Sequence, residues 1–195
     1  MRDGRPVFFS DYERRFHEGR EFYKKYYAAC NQLGADIVVF HGAFSTYSGS
    51  MEQYFERLGL LIQDAKEQGV DLCHENVSRC VSRTPAFFED LIKAIPEARF
   101  VFDVKQAVRA GEDVMNFAKI LGKRVRHIHL SDHDDSNSCL VPSRGTFNIP
   151  EFLIAMKESG AVSGAVVEVY SQNYRDNVEL YIGYQHLLKC LSTFK

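Results

Sequence analysis

The chain has 195 residues, of which 45% are apolar and none is Trp, and its 24 Lys and Arg nearly balance its 26 Asp and Glu; this profile is typical of one globular domain, 1–195, and excludes disorder and collagen-like repetition. No apolar run reaches the roughly 18 to 20 residues of a membrane span, and the first residues lack the apolar core of a secretory signal, so we expect a cytoplasmic protein without a membrane partner. The net charge of -2 gives no general attraction for a phosphate backbone, which makes nucleic acid an unexpected partner.

Five strand-like runs alternate with helical patterns along the chain. A helical pattern over 11–33 ends at Gly34, and the run 35–41 that follows is rich in β-branched residues, as in a strand covered on both faces. Ser50 is placed to cap a second helix. Further strand-like runs at 70–75, 100–104, 125–130 and 165–170 are separated by helices that begin at Thr84-Pro85, after 111–112 and at Ile149-Pro150, and a last helix covers 176–191. This alternation predicts an α/β fold with a parallel sheet and right-handed crossovers.

Each strand-like run ends at or near an ionisable or metal-binding type of side chain: His41, Glu75, Asp103, His129 and Glu168. Side chains two residues apart on a strand share a face. One phase of this alternation places all five on one face, and it sends to the other face Phe40, Leu72, Phe102, Ile128 and Val167. In a barrel these faces are the interior and the helix-covered exterior. Active sites of such folds lie at the carboxyl ends of the strands, so these five side chains predict a functional site.

Four of these side chains form an oxygen-rich set that suits one divalent ion, Mn²⁺, Mg²⁺, Zn²⁺ or Co²⁺: Glu75, Asp103, His129 and Glu168. Crowded carboxylates raise one another's pKa values, and a cation keeps them ionised.

The five cysteines have no Cys-x-x-Cys spacing, and we interpret them as reduced thiols. Asp132 and Asp134 are interpreted as solvated loop residues or helix caps, and His74, on the opposite face from Glu75, as hydrogen-bonded packing.

At these positions the sequence resembles the sugar phosphate isomerase/epimerase family, the xylose isomerase-like TIM barrel group that also contains ketose 3-epimerases, inosose dehydratases and endonuclease IV. The resemblance covers nearly the whole chain from about Tyr12. It rests on five segments: Leu33-Gly34-Ala35 to Phe40-His41-Gly42, Leu72-Cys73-His74-Glu75-Asn76, Phe102-Asp103, His127-Ile128-His129-Leu130-Ser131-Asp132, and Gly164 to Glu168-Val169.

The resemblance implies a metal-dependent isomerase or epimerase of a small sugar, polyol or sugar phosphate, acting by carboxylate-mediated proton transfer next to a metal-bound carbonyl. It implies that the four-residue set binds the metal and that Glu75 and Glu168 are also the catalytic acid and base. We assign six further residues to substrate binding: His41, Asn76, Lys105, Gln106, His127 and Arg144. Isomerisation, epimerisation and inosose-type dehydration share the first proton abstraction and stay open.

Two positions depart from the family pattern. Family epimerases carry a His three residues after the metal-binding Asp, where this chain has Gln106, and an Arg six residues after the second His of the His-x-His strand, where it has Asp135. Both positions concern substrate recognition rather than the metal.

Two alternative functions stay open. One is an endonuclease IV-like phosphodiesterase acting on DNA, which uses three zinc ions and an Asp-x-His pair that 138–145 does not supply. The other is a non-catalytic partial barrel.

Only five strand-helix units are visible, whereas a (β/α)₈ barrel has eight, and by the resemblance they are the fourth to the eighth. Either the chain comes from a longer gene, or its open sheet edges pair with another copy. Strict alternation assigns several apolar side chains to an open trough on the inner face: Ile37, Val39, Cys73, Val101, Val125 and Val166. We therefore expect a partial barrel that covers this trough as a homo-oligomer or with its own N-terminal segment.

Overall fold

Five parallel strands form one curled sheet in the order β1-β2-β3-β4-β5, in a computed structural model that describes residues 8–10, 12–161 and 163–192. The strands are β1 (Ile37–Phe40), β2 (Asp71–Glu75), β3 (Arg99–Asp103), β4 (Val125–Leu130) and β5 (Gly164–Val167). Every neighbouring pair is parallel. The predicted α/β partial barrel of five units is therefore confirmed.

Seven α-helices lie in the described part of the chain: α1 (Glu13–Leu33), α2 (Met51–Glu67), α3 (Pro85–Ala94), α4 (Val104–Ala110), α5 (Val114–Leu121), α6 (Ile149–Glu158) and α7 (Asn177–Ser192). Gly34 ends α1 in the left-handed conformation, with φ of 67°, and the Ser50 hydroxyl accepts hydrogen bonds from the first turn of α2, both as predicted. Position 11, where the first helix is predicted to begin, lies outside the described residues. The sequence did not predict α4, which begins directly after β3.

The outer face of the sheet packs against the helices. As alternation predicts, four strand residues of that face are buried in the hydrophobic core: Phe40, Leu72, Phe102 and Ile128. Val167, the fifth, packs against this core. The buried His74 ring also belongs to this face. Its Nε2 lies 2.7 Å from Tyr54 Oη and its Nδ1 lies 3.0 Å from the Glu75 carbonyl oxygen. Because that carbonyl can only accept, Nδ1 carries the proton and Nε2 accepts from Tyr54.

Complete burial lowers the pKa of His74 to about 4, so the ring is neutral at physiological pH. The interpretation of His74 as hydrogen-bonded packing is therefore confirmed.

The prediction that Val125 faces the trough is wrong because β4 contains a bulge. Val125 pairs with Phe100, but Val101 pairs with His127, so Arg126 is an extra residue in the ladder. Val125 consequently shares the helix-covered face with Phe100, and both are buried in the core there. After the bulge the phase is the predicted one, with His127 and His129 on the inner face.

Charged side chains lie across the amino end of the inner face. Arg126 Nε lies 2.7 Å from Asp71 Oδ2, and Arg126 Nη2 lies 3.1 Å from Asp36 Oδ2. These ion pairs connect β4 to β2 and to the residue just before β1. The trough is therefore charged at this end, whereas the sequence predicted an apolar lining.

We expect the 195-residue chain to associate in solution. Among the described residues no strand pairs with the outer edge of β1 or of β5, and the inner-face residues Val39 and Val166 are 37% and 44% exposed. On α7, Tyr181 and Ile182 are also exposed. Burying such side chains is worth roughly 1.5 to 3 kcal/mol each, so light scattering on dilute protein should give at least twice the mass of one chain. A stable monomer at micromolar concentration would contradict this expectation.

Within the described residues, no helix combines the length and the apolar character needed to cross a membrane.

Candidate metal centre

Four side chains converge at the carboxyl ends of β2 to β5. One potential ligand atom from each lies within 4.8 Å of the others: Glu75, Asp103, His129 and Glu168. His129 Nδ1 lies in the middle, 2.9 Å from Glu75 Oε1, 2.8 Å from Glu168 Oε2 and 3.9 Å from Asp103 Oδ2. These four residues are the set that the sequence predicts to bind a metal.

Each side chain is positioned by its place in the sheet. Glu75 and Asp103 are the last residues of β2 and β3, and His129 is the last but one of β4. Asp103 pairs with His129 in the ladder, and its Oδ1 accepts a hydrogen bond from Gln106 N at the start of α4. Glu168 lies one residue beyond β5, because that strand ends at Val167, and its N–H still donates to the Leu130 carbonyl oxygen.

The four side chains of the cluster shift one another's pKa values. Burial acts to raise the pKa of Glu75, but hydrogen bonds from His129 and His41 outweigh it and lower that pKa to about 2. The adjacent His129 ring is the main reason that the pKa of Glu168 also falls to about 2. Burial acts to lower the pKa of His129, yet its three acidic neighbours raise it to about 11. Burial raises the pKa of Asp103, although His129 and Lys105 oppose this. Without a metal, the imidazolium of His129 therefore holds the carboxylates together at neutral pH.

Two carboxylate oxygens of the cluster lack a hydrogen-bond donor among the described residues. They are Asp103 Oδ2 and Glu168 Oε2, and both are buried, although cationic groups lie 3.2 and 2.8 Å away. His129 Nδ1 has only one proton to give, and Glu75 Oε1 accepts it. Buried acceptors without donors are costly, and a divalent cation would satisfy both. The donor set thus fits a hard or borderline metal ion with oxygen and imidazole ligands.

The chain matches the family described as xylose isomerase-like TIM barrel over residues 6–189. It belongs to that family. Among solved structures, it resembles a D-tagatose 3-epimerase-like protein (TM-score 0.76, 20% identity, covering 95% of this chain and 73% of the other). It also resembles the IolI protein with a bound zinc atom (TM-score 0.78, 17% identity, 96% and 74%) and the 3-keto-D-glucoside 4-epimerase of E. coli (TM-score 0.74, 14% identity, 94% and 75%). A comparison with curated protein sequences finds no match.

Three of the predicted substrate-binding residues of this xylose isomerase-like chain contact the metal-ligand set or its backbone. His41 Nε2 lies 2.8 Å from Glu75 Oε2 at the solvent side of the cluster. Lys105 is buried, with Nζ 3.2 Å from Asp103 Oδ2 and 3.0 Å from Glu168 Oε1. Asn76 exchanges two hydrogen bonds with the backbone of Asp103, of 2.8 and 2.7 Å. Their role in substrate binding stays a prediction.

The other three lie around this group. The His127 ring centroid is 5.5 Å from that of His129, and partial burial together with the charge of His129 lowers the pKa of His127. Gln106 Oε1 accepts hydrogen bonds from the backbone and hydroxyl of Ser78, while Arg144 pairs with Glu179 on α7 at 3.2 Å. The side chains of Gln106 and Arg144 therefore bind residues outside the metal-ligand set, although the backbone N–H of Gln106 donates to Asp103 Oδ1.

Asp132 has a structural role that the sequence did not predict. It is buried rather than solvated, and its carboxylate accepts four backbone N–H groups, those of His133, Ser143, Gly145 and Phe147. This carboxylate therefore folds the long connection between β4 and α6 at the mouth of the site. The turn formed by Asp134 with Ser136 and Asn137 agrees with its interpretation as a loop residue.

Proposed function

We propose that this chain carries the metal centre and the proton-transfer groups of a sugar isomerase or epimerase. The convergence of two glutamates, an aspartate and a histidine at the strand ends supports the proposal most directly. The sugar epimerases among the proteins of similar fold add support for the substrate class, a small sugar, polyol or sugar phosphate. The ion is one divalent metal, Mn²⁺, Mg²⁺, Zn²⁺ or Co²⁺.

The chemistry follows from the places of the two glutamates. A divalent ion held by the four-residue set would polarise a sugar carbonyl and so make the neighbouring C–H more acidic. Glu75 and Glu168 are carboxylates, so both are ionised at neutral pH and able to accept that proton. One carboxylate would remove the proton and release it to solvent, and the opposite carboxylate would take up a solvent proton and deliver it to carbon. His41 orients the Glu75 carboxylate through its contact with Oε2.

Solvent exchange tests this proposal directly. Metal-loaded protein in D₂O is mixed with a panel of ketoses, sugar phosphates and inososes, and the loss of the C–H signal beside the carbonyl is followed by NMR. Cleavage of abasic-site DNA is measured in parallel. Exchange without DNA cleavage is the expected result. Cleavage without exchange would replace the isomerase by a phosphodiesterase, and the absence of both would leave a non-catalytic partial barrel.

Metal binding should strengthen as the pH rises. In the metal-free chain the pKa of His129 is raised to about 11, so the ring is protonated at neutral pH, and it must lose that proton to become a ligand. Each bound ion then displaces one proton, and the apparent dissociation constant should fall about tenfold per pH unit between pH 6.5 and 9. Calorimetry in buffers of different ionisation enthalpy counts the released proton. An affinity that does not vary over this range would contradict the assignment of His129.

We also propose the cytoplasm as the compartment, a homo-oligomeric state, and a single domain for 1–195. All five cysteines are thiols rather than disulfides, as is usual for proteins of a reducing compartment. The exposed edge and inner face of β5 support the oligomer.

A further inference from the structure

Helix α4 contacts the segment after β5 through two cationic side chains that are four residues apart. Lys105 Nζ lies 3.0 Å from Glu168 Oε1 and 5.0 Å from the centre of the Tyr170 ring. Arg109 covers the same ring at 5.0 Å and donates from Nη1 to Tyr170 Oη at 2.8 Å. Arg109 Nε also donates to Ser138 Oγ, at 2.9 Å. We call these two contacts, Lys105 with Glu168 and Arg109 with Tyr170, the α4 clamp.

Glu168 is the member of the metal-ligand set that most needs such support. Its side chain is 42% exposed, against 4% for Glu75 and 2% for Asp103. It follows β5, which pairs only with β4 among the described residues. Backbone pairing therefore holds Glu168 from one side only. The α4 clamp adds contacts to the Glu168 carboxylate and to the side chain of Tyr170.

Lys105 itself is rigidly placed. Its side chain is 2% exposed, and it lies in the first turn of α4, which begins at the Asp103 cap without an intervening loop. The ammonium bridges Asp103 Oδ2 and Glu168 Oε1, and so fixes the distance between two ligands that come from different strands.

We propose that Lys105 is a positioning residue of the metal centre, and that with Arg109 it holds Glu168 in reach of the metal. This inference rests on the proposed metal site and extends it, because it assigns the position of the Glu168 carboxylate to α4 in addition to the sheet, which holds the Glu168 backbone. The positive charge of the Lys105 ammonium would by itself weaken the binding of a cation, which is the opposite of its effect as a positioning residue. Removing a positive charge beside a cation site would by itself strengthen metal binding, whereas losing a hydrogen-bonded partner of a ligand typically weakens it about 10- to 100-fold.

Titration with Co²⁺ separates these effects, because the affinity and the visible absorption of the ion both report its ligands. Lys105→Met should weaken Co²⁺ binding about 10- to 100-fold and change the spectrum. Lys105→Arg, which keeps the charge, should recover part of the loss. Lys119→Met removes an exposed lysine from α5 and should leave both readouts at the parent values. Combined with Glu168→Gln, the Lys105→Met change should add no further loss, because both act on one ligand.

Unchanged or tighter Co²⁺ binding by a folded Lys105→Met variant would overturn the proposal, as would losses that add in the double variant. Thermal unfolding identifies a variant that fails to fold. In that case Arg109→Gln, at an exposed position, tests the clamp, and a Co²⁺ affinity equal to that of the parent would overturn it. If the parent chain binds no Co²⁺, the proposed metal centre is refuted. If the parent chain binds Co²⁺ and the Lys105 variants bind it equally well, only the positioning role of Lys105 is refuted.

Discussion

Glu75→Gln and Glu168→Gln should each lower sugar C–H exchange with solvent by about 10²- to 10⁴-fold, the usual contribution of a positioned acid or base. Glutamine keeps the size of the side chain and one oxygen that can bind a metal, but it cannot accept the proton. The measurement is the initial rate of deuterium incorporation into a sugar that the parent chain exchanges. Metal content is determined on the same samples.

The matched control is Glu158→Gln, at an exposed position at the end of α6. It should exchange at the parental rate. If either active-site variant retained more than about a tenth of the parental rate while holding its metal, that glutamate would not be a catalytic base.

Replacing Asp103 and His129 together by alanine should abolish stoichiometric metal binding. A change in a single outer hydrogen-bond partner of a metal ligand costs about 10- to 100-fold in affinity, so the loss of two direct ligands should exceed about 100-fold. Elemental analysis after gel filtration gives the metal content, which should fall from one ion per chain to background.

Two further variants control this experiment. Asp135→Ala combined with His17→Ala removes the same residue types from exposed positions and should keep one ion per chain. Asp103→Asn retains an oxygen that can cap α4, so it separates loss of the ligand charge from loss of the helix start. Metal content unchanged by the Asp103→Ala and His129→Ala double variant would refute the site.

The strand periodicity and the ends of β2, β3 and β4 were predictable to within one residue because they depend on local sequence, whereas β5, predicted to reach residue 170, ends at Val167. The period of two in β2 and β3 fixes the faces of Glu75 and Asp103, whose side chains then meet for geometric reasons alone. The family resemblance points to the same ligands. The pattern therefore yielded both the fold class and the four-residue set.

The bulge in β4 was not predictable from alternation. The segment Val125-Arg126-His127 carries no signal that one residue will be left out of the ladder, and only the pairing with β3 shows it. The same holds for Asp132, whose four backbone donors lie at four separate positions of a long loop. In both cases the deciding contacts join residues distant in sequence.

The burial of Lys105 was not predictable from the sequence, because α4 was not predicted and side chains two residues apart on a helix do not face each other. The Tyr170 ring beside Lys105 was not predictable either, because Tyr170 lies 65 residues further along the chain.

The bulge also affects how the chain tolerates changes in length. A chain that lacked Arg126 would place Val125 opposite Phe100 and His127 opposite Val101 in a regular ladder, so His129 would remain opposite Asp103. The loss would be limited to two partly exposed ion pairs, with Asp71 and Asp36, worth about 0 to 1 kcal/mol each. Homologous chains could therefore differ by one residue here and still present the same histidine to a metal, so an alignment that treats this gap as a shift of the active site would be misleading.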